Sequence, residues 1–210
     1  MILKEEYISQ LKSNTQSYLG GYTYLNEKYK SVLISDIIEI SFNSLYPTIL
    51  IGLSEFGLID GMWENDIKKV DWFLKNKQTL KIMPTGEYGK WKMFSNSLYG
   101  KIKTEYVTGY LKLFYDDMLK TYGDKIIYID TDQIILNTKE LNDDFVNKIN
   151  HFEHEIVRIN HFYIENLKRY ILVDQFGEIR VKGFRDPKKS EIENIIKTEI
   201  RNRKFREIGI

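Results

Sequence analysis

Hydrophobic and polar residues alternate over residues 33–42, and this period of two predicts a β-strand. Alternate residues of a strand point to opposite faces, so one face would meet the core and the other would carry polar groups. The first set is Ile38, Ile40 and Phe42, and the second is Ile37, Glu39, Ser41 and Asn43. We expect Pro47 to end the strand and to fix a tight turn.

Four later segments carry apolar residues at every third or fourth position, which predicts amphipathic helices. These segments are residues 64–77, roughly residues 89–98, residues 106–122 and residues 143–167. His151, His154 and His161 fall in the last segment, where we interpret them as solvent-facing residues rather than metal ligands. Before the strand, residues 1–17 are expected to form a short polar helix or arm, and residues 18–29 a loop or hairpin.

Two short apolar arms within residues 126–136 enclose a polar Asp-Thr-Asp turn at residues 130–132, which predicts a β-hairpin. Two further strands are predicted over residues 169–173 and 179–181, joined by a Phe-Gly turn. This order of elements indicates an α+β fold, in which an antiparallel sheet carries helices on one face. A separate helical pair would be inserted after the first strand.

Composition narrows the classes of protein that fit this pattern. Lys and Arg number 31 against 30 for Asp and Glu, so binding to nucleic acid through bulk charge is not expected. This balance leaves room for a local basic groove that acids elsewhere offset. The chain has no cysteine, which excludes disulfides and thiolate metal sites and fits a reducing, cytoplasmic compartment. We expect neither a signal peptide nor a membrane span, because acids come early and no run of about 18 apolar residues exists.

Asp130 and Asp132 are the first candidates for chemistry. Two acids separated by one residue at a hairpin tip are expected to point to the same side, where they repel unless a cation lies between them. Mg²⁺ binds in this way, through one or two carboxylates together with substrate phosphates. The alternative is an ordinary solvated turn, in which Asp is common.

Two other segments could bind an anion. Lys92 and Asn96 would share one face of a helix that ends near Tyr99 and Gly100, and a lysine there can contact a phosphate as a point charge. Residues 44–47 would form a turn whose backbone N–H groups could cradle an anion. Taken singly, the first segment is better explained by a surface lysine on an ordinary helix, and the second has the alternative of a simple turn with Tyr46 packed beneath it.

The motifs carry more information together than apart. In order along the chain they are YLGG at 18–21, SFNSLYPTI at 41–49, K-x-x-x-N-S-x-Y-G at 92–100, YIDTD at 128–132, KRY at 168–170 and KG at 182–183. This series resembles a family B DNA polymerase, closest to the compact, protein-primed phage and plasmid branch. The resemblance runs over most of the chain, from about residue 18 to residue 183.

The resemblance implies an α+β polymerase palm with antiparallel sheet and packed helices and a short helical fingers insertion. Residues 1–52 would be an N-terminal arm and first palm strand, residues 53–100 the reduced fingers, and residues 101–183 the palm. Residues 184–210 would be a basic helix in place of a thumb, and no segment before Tyr18 is expected to hold an exonuclease. A protein partner would then supply these missing parts.

The resemblance also implies roles for single residues. Asp130 and Asp132 would be catalytic metal ligands, with Asp132 the main one. The backbone around Tyr46 would hold the triphosphate of a dNTP, and its ring would stack beneath the sugar and exclude a 2′-OH. The implied triphosphate contacts are Phe42, Ser44, Leu45, Tyr46 and, from the fingers helix, Lys92. The implied base-pair pocket is Asn96, Tyr99 and Gly100. The implied contacts with primer-template DNA are Lys168, Tyr170, Lys182 and Gly183, with Tyr18, Gly20 and Gly21 on the template strand.

The implied reaction is template-directed transfer of a nucleotide to a primer, with two Mg²⁺ ions, or Mn²⁺, about 3.5–4 Å apart. Ser41 departs from the pattern, because the family's first palm motif has an Asp there that would bridge both ions. A neutral hydroxyl replaces a carboxylate poorly, which predicts an impaired or inactive site. Glu39 lies on the same strand face with its Cα about 6.6 Å away, and it is the candidate substitute ligand.

Three functions therefore remain open. The chain could be a DNA polymerase core, active alone or with a partner. It could be a catalytically inactive polymerase-like subunit that binds DNA or another replication protein. It could also be one part of a split polymerase, with the exonuclease and thumb on another polypeptide. The basic run at residues 201–206 fits either a phosphate contact or a solvated helix face.

Overall fold

The computed structural model describes residues 3–13, 21–102, 104–184, 194 and 196–198. The chain divides into two compact units, which we call the helical unit and the sheet unit. The helical unit comprises Met1–Tyr22, Phe42–Thr121 and Asn147–Glu153, and the sheet unit comprises Thr23–Ser41, Tyr122–Val146 and His154–Ile210. The four segments implied by the resemblance stay predictions, and most of the predicted C-terminal helix lies outside the described residues.

The helical unit contains α1 (Glu5–Ser13), α2 (Leu45–Glu55), α3 (Glu64–Ile82), α4 (Glu87–Tyr99) and α5 (Thr104–Tyr122). The last three confirm the predicted helices, with α3 five residues longer than expected because its buried residues continue to Leu80 and Pro84 breaks the chain only after Met83. None of the described helices is long and apolar enough to cross a membrane.

Helix α1 packs tightly against its neighbours although its sequence is polar overall. Glycines provide the space: a Cβ added at Gly109 of α5 would lie 2.8 Å from Leu11, and one at Gly52 of α2 would lie 2.5 Å from Leu3. Tyr7 stacks edge-on against Tyr110, with ring centroids 5.4 Å apart. Of the two alternatives for residues 1–17, a helix or an arm, a helix is therefore present, and it contributes to the core.

Helix α2 corrects the prediction for Pro47, which lies inside this helix and does not end the strand. The strand ends at Phe42, Ser44 takes a left-handed conformation with φ of 58°, and the helix begins at Leu45. Pro47 is accommodated in the first turn because N–H groups there have no partner within the helix. The predicted tight turn is therefore a helix N-terminus.

Seven strands of the described residues form one sheet in the order β1-β3-β4-β2-β5-β6-β7. Their bounds are β1 (Thr23–Leu25), β2 (Leu33–Phe42), β3 (Ile126–Asp130), β4 (Gln133–Leu136), β5 (His154–Asn166), β6 (Arg169–Asp174) and β7 (Ile179–Lys182). The strand pairs with a defined register are antiparallel. Together with the helices, the sheet confirms the predicted α+β class.

The long helix predicted over residues 143–167 is wrong beyond its start. Helix α6 (Asp143–Ile149) is short, and the rest of the segment is strand β5, which includes His154 and His161. The register of β5 against β6 shifts between Ile159 and His161. This irregularity places buried Ile159 and Phe162 three positions apart, and the spacing of three imitates a helix.

The sheet curls so that strands that are distant in its order approach each other. Strands β3 and β7 are far apart in strand order, yet Asp130 at the end of β3 accepts a hydrogen bond from Lys182 of β7. A cluster of aliphatic and aromatic side chains fills the interior, among them Ile37, Tyr128 and Phe162. The expected division of β2 into a core face and a polar face is wrong, because Ile37 and Glu39 are as buried as Ile38 and Ile40.

Candidate active site

The hairpin of β3 and β4 confirms the prediction for residues 126–136. Thr131 and Asp132 form its two-residue turn, in which Thr131 has a positive φ of 59°. The two acids differ in environment, because Asp130 is only 3% exposed whereas Asp132 is exposed. Desolvation by surrounding atoms nevertheless raises the pKa of the Asp132 carboxyl group, and the charge of Asp130 adds to this effect.

Ser41 lies in the same row of residues as Asp130. Gln133 of β4 is the register partner of Asp130 on one side and of Ser41 on the other. Directly opposed residues of neighbouring strands project from the same face of a sheet, so the three side chains share one face. The structure thus places Ser41 next to the hairpin, in the same row as Asp130, and its role as the replacement of a metal-bridging carboxylate stays a prediction.

Asp130 is engaged by cations of the protein itself. Lys182 donates a hydrogen bond to Oδ2 at 2.6 Å, and Nζ of Lys168 lies 3.8 Å from Oδ1. Thr131 also donates to Oδ1, at 3.3 Å. Desolvation lowers the pKa of Lys182, but the hydrogen bond and the charge of Asp130 outweigh it and raise the pKa overall. Lys182 is therefore a charged partner of this carboxylate.

Glu39, the candidate substitute ligand, is even more completely paired. It is 1% exposed, and Arg180 donates to both of its carboxylate oxygens, with Nη1 2.8 Å from Oε1. Gln133 and Ser41 also donate to Oε1, and Tyr170 in turn donates to the side-chain oxygen of Gln133. The hydrogen bonds with Glu39 raise the pKa of Arg180. Both oxygens of Glu39 thus have partners within the protein.

Two of the three carboxylates predicted as metal ligands, those of Asp130 and Glu39, are paired with cations of the protein, whereas Asp132 is exposed at the hairpin tip. A centre with two divalent ions needs several carboxylate oxygens that are free to face the ions. Asp130 and Glu39 each already bind a cation of the protein, and the Ser41 hydroxyl donates its proton to Glu39. Among the residues that the structure describes, no group of three or more His, Asp or Glu side chains is arranged to hold a metal ion.

The predicted triphosphate contacts lie in the helical unit. Phe42 is buried against Phe114 and Phe152, with ring centroids 6.1 and 5.9 Å away, so its side chain belongs to the core. Leu45 is also buried, and Ser44 precedes the first turn of α2. The backbone N–H groups of that turn have no partner within the helix. A triphosphate contact through this backbone, and stacking on Tyr46, stay predictions.

The predicted fingers residues lie at the surface of α4. Lys92 and Asn96 are exposed one turn apart, as their spacing predicts, and Gly100 directly follows the helix. The side chain of Tyr99 lies outside the described residues. The roles of these residues with a nucleotide therefore stay predictions.

The predicted duplex contacts converge in the sheet unit. Lys168 lies in the turn between β5 and β6 with φ of 59°, and its backbone N–H donates to the Tyr128 hydroxyl. Gly183 has φ of 75°, and a Cβ there would lie 2.4 Å from the carbonyl oxygen of Lys168. The side chain of Tyr170 is buried, and its hydroxyl group donates a hydrogen bond to the side-chain oxygen of Gln133.

Of the three predicted contacts with the template strand, one lies within the described residues. Tyr18 and Gly20 lie outside the described residues, whereas Gly21 is described and lies just before β1.

Arg180 is a site residue that the sequence analysis did not predict. The signal was present, because the sequence Arg-Val-Lys at residues 180–182 alternates and places two cations on one face of a strand.

No protein-family model and no curated protein matches this chain. Solved structures of Phi29 DNA polymerase do match. The ternary complex with primer-template DNA and incoming nucleotide has a TM-score of 0.63 at 15% identity, covering 87% of this chain and 56% of the polymerase. The post-translocation complex with primer-template DNA has a TM-score of 0.58 at 16% identity, covering 85% and 53%. The complex with single-stranded DNA has a TM-score of 0.56 at 16% identity, covering 84% and 52%. The chain therefore has a DNA polymerase-like fold and spans a little over half of the polymerase it matches.

Proposed function

We propose that this chain is a polymerase-like, nucleic-acid-binding subunit of the family B, protein-primed type, in which two-metal nucleotidyl transfer has been lost. The observation that carries the proposal is the row of Asp130, Gln133 and Ser41. In this row Ser41 stands where the bridging carboxylate is expected. The carboxylate of Asp130 already binds Lys182. The predicted Mg²⁺ cofactor would then have no role in a reaction of this chain.

The proposed ligand is primer-template DNA. The structural neighbours are complexes with primer-template DNA and with single-stranded DNA, and the chain shares their fold over most of its length. Lys168, one of the residues expected to contact the duplex, and Arg169, the first residue of β6, supply exposed cations next to each other. Binding through phosphate contacts of this kind weakens as salt is raised.

Ser41 lacks the negative charge of the expected carboxylate, and the loss of this charge is large enough to separate an active site from an inactive one. Replacing a carboxylate that faces two divalent ions by a hydroxyl removes a full negative charge from the centre. Each 1.4 kcal/mol lost from transition-state stabilisation slows a reaction about tenfold. A loss of several kcal/mol would therefore reduce extension by several orders of magnitude. Under this proposal a partner protein carries the catalytic work, as in a split polymerase or a replication complex.

One observation favours the active-polymerase alternative. Asp132 is exposed at the hairpin tip, and it is the residue that the resemblance makes the main metal ligand. If Asp130 exchanged Lys182 for a divalent ion once DNA and nucleotide are bound, the two acids could still bind metal. This alternative predicts weak extension that depends on Asp132.

Two assays on the same preparations separate these functions. Fluorescence anisotropy with labelled primer-template DNA, over a series of salt concentrations, measures binding. Primer extension with Mg²⁺ and then Mn²⁺ compares the natural chain with Asp132→Asn and Ser41→Asp. We expect salt-sensitive binding by all three chains and no extension by the natural chain. Extension that disappears in Asp132→Asn would overturn the loss of catalysis, and absence of binding at low salt would overturn the DNA-binding function.

A further inference from the structure

Strand β7 brings two cations to the polar centre of the sheet unit. This name denotes the acids Glu39, Asp130 and Asp132 and the cations that face them. Arg180 and Lys182 are two residues apart, so they project from the same face of the strand. Arg180 reaches Glu39 and Lys182 reaches Asp130, and both acids are almost completely buried. Each pair joins residues that are distant in sequence, by 141 and 52 positions. These pairs form across the curl of the sheet.

The charges at this centre balance without any added ion. The acids are Glu39, Asp130 and Asp132, and the cations that face them are Arg180, Lys182 and Lys168. Two divalent ions would add four positive charges to a group that is already neutral. A divalent ion at Asp130 would have to displace an ammonium group, because like charges at such short range repel strongly.

We propose that Lys182 is a resident counter-ion of Asp130 that keeps a divalent ion away from this carboxylate, while Arg180 neutralises the neighbouring Glu39. The inference rests on the proposed function only for the expectation that a metal centre once occupied this position. Its consequence is specific. Ser41→Asp alone does not create a metal site, whereas Ser41→Asp together with removal of the Lys182 ammonium does.

The two cations differ in how readily they can be removed. Arg180 holds the most buried acid through both carboxylate oxygens, so its loss would leave Glu39 charged and desolvated. Lys182 makes a single hydrogen bond, and its side chain is 47% exposed. Lys168 Nζ lies 3.8 Å from Asp130, beyond hydrogen-bond distance, so Asp130 keeps a nearby cation but no directly bound ammonium group when Lys182 is replaced. Lys182 is therefore the position at which to test the inference.

The test measures Mn²⁺ alone, by electron paramagnetic resonance of the free ion during titration of the full chain. The chains compared are the natural one, Ser41→Asp, Lys182→Met and Ser41→Asp/Lys182→Met. We expect at least tenfold tighter Mn²⁺ binding in the double variant than in the natural chain or in Ser41→Asp. Adding Asp130→Asn to the double variant should abolish the gain, which locates the ion at this carboxylate.

Two results would overturn the inference: Mn²⁺ binding by the natural chain as tight as by the double variant, or full restoration by Ser41→Asp alone. Circular dichroism checks the fold of each chain, and Lys182→Gln replaces Lys182→Met if the latter unfolds. If neither replacement folds with Ser41→Asp, the ammonium is not separable from the fold and the inference fails. Because the readout involves neither DNA nor extension, its failure is distinguishable from failure of the proposed function.

Discussion

Two regions of the molecule, the surface of α3 and α4 in the helical unit and the buried acids of the sheet unit, illustrate two kinds of charge pair. On α3 and α4 of the helical unit, lysines pair with acids three or four positions away, as in Lys75 with Asp71 and Lys90 with Glu87, and these side chains are exposed. In the sheet unit, Arg180 pairs with Glu39, a residue 141 positions away, and the acid is buried. Helix pairs of the first kind stabilise by roughly 0.2–0.5 kcal/mol, whereas removing one partner of a buried pair costs about 3–5 kcal/mol.

The two kinds of charge pair depend on different levels of structure. A pair within one helix can form as soon as the helix does, so it carries no information about tertiary structure. The pair of Glu39 with Arg180 requires β2 and β7 to be brought together by the curl of the sheet. The pairs at the polar centre therefore test the tertiary structure of the sheet unit, and the helix pairs test only local structure.

The largest expected effect follows removal of Arg180. In Arg180→Met, Glu39 stays buried without its cation, and we expect the free energy of unfolding to fall by about 3–5 kcal/mol. Urea-induced unfolding followed by circular dichroism measures this loss. The control is Glu39→Gln/Arg180→Met, in which no charge is left buried and much of the stability should return. Equal stability of the single and double variants would show that the buried charge is not the cause.

A second comparison uses two glycines with the same backbone conformation. Gly183, after β7, and Gly86, between α3 and α4, have φ of 75° and 68°. A Cβ at Gly183 would lie 2.4 Å from the carbonyl oxygen of Lys168, whereas a Cβ at Gly86 meets nothing within 4 Å. We expect Gly86→Ala to cost about 1 kcal/mol for its left-handed backbone, and Gly183→Ala to cost roughly 2–3 kcal/mol because backbone must also move.

Thermal and urea unfolding of the two alanine variants measures this difference. Gly86→Ala is the matched control, since its φ is similar and its surroundings are open. Equal losses would mean that the turn after β7 yields to a methyl group. The close approach of Gly183 to Lys168 would then not constrain the sheet unit.

Local features of the fold could be predicted from the sequence. The helices α3, α4 and α5, strand β2 and the hairpin of β3 and β4 all have patterns that are complete within one segment. Strand β5 was missed because a register shift near Ile159 breaks its alternation, and α2 was missed because Pro47 suggested a turn. The curl of the sheet could not be predicted, since no local pattern encodes which strands meet.

The same distinction holds for the candidate site. The alignment of Ser41 with Asp130 followed from motif order, because each motif occupies one strand or one turn. The pairing of Asp130 with Lys182 and of Glu39 with Arg180 did not, because strand alternation gives the face of a cation but not its partner. The idea that Glu39 is available as a substitute ligand depended on this missing information.

Asp117 of α5 provides an intermediate case, a charge cluster in the helical unit that joins distant residues. Burial raises the pKa of its carboxyl group, but hydrogen bonds from Tyr7, Lys148 and Lys4 outweigh this and lower the pKa to about 2, from 3.8. A pKa that is lower in the folded state means that the ionised form stabilises the fold. This contribution is complete above about pH 4 and is lost as the pH falls towards 2.

The corresponding experiment compares the natural chain with Asp117→Asn by urea unfolding between pH 7 and pH 2. We expect the variant to be less stable at pH 7, and the difference between the two chains to shrink as the pH falls from 4 to 2. A difference that stays constant over this range would show that the ionised carboxylate does not stabilise the fold. The cluster would then resemble the helix pairs rather than the buried centre.

The smallest effect is expected for Lys75→Ala, which removes an exposed pair with Asp71 on α3. The free energy of unfolding should change by less than about 0.5 kcal/mol. Lys77, on the same helix, is the matched comparison, because its side chain is only 8% exposed and pairs with Glu153 outside the helix. Lys77→Ala should cost clearly more than Lys75→Ala, although both remove one lysine from α3. If the two variants are equally stable, burial and long range do not set the strength of a charge pair in this protein, and the contrast between local pairs and buried, long-range pairs loses its basis.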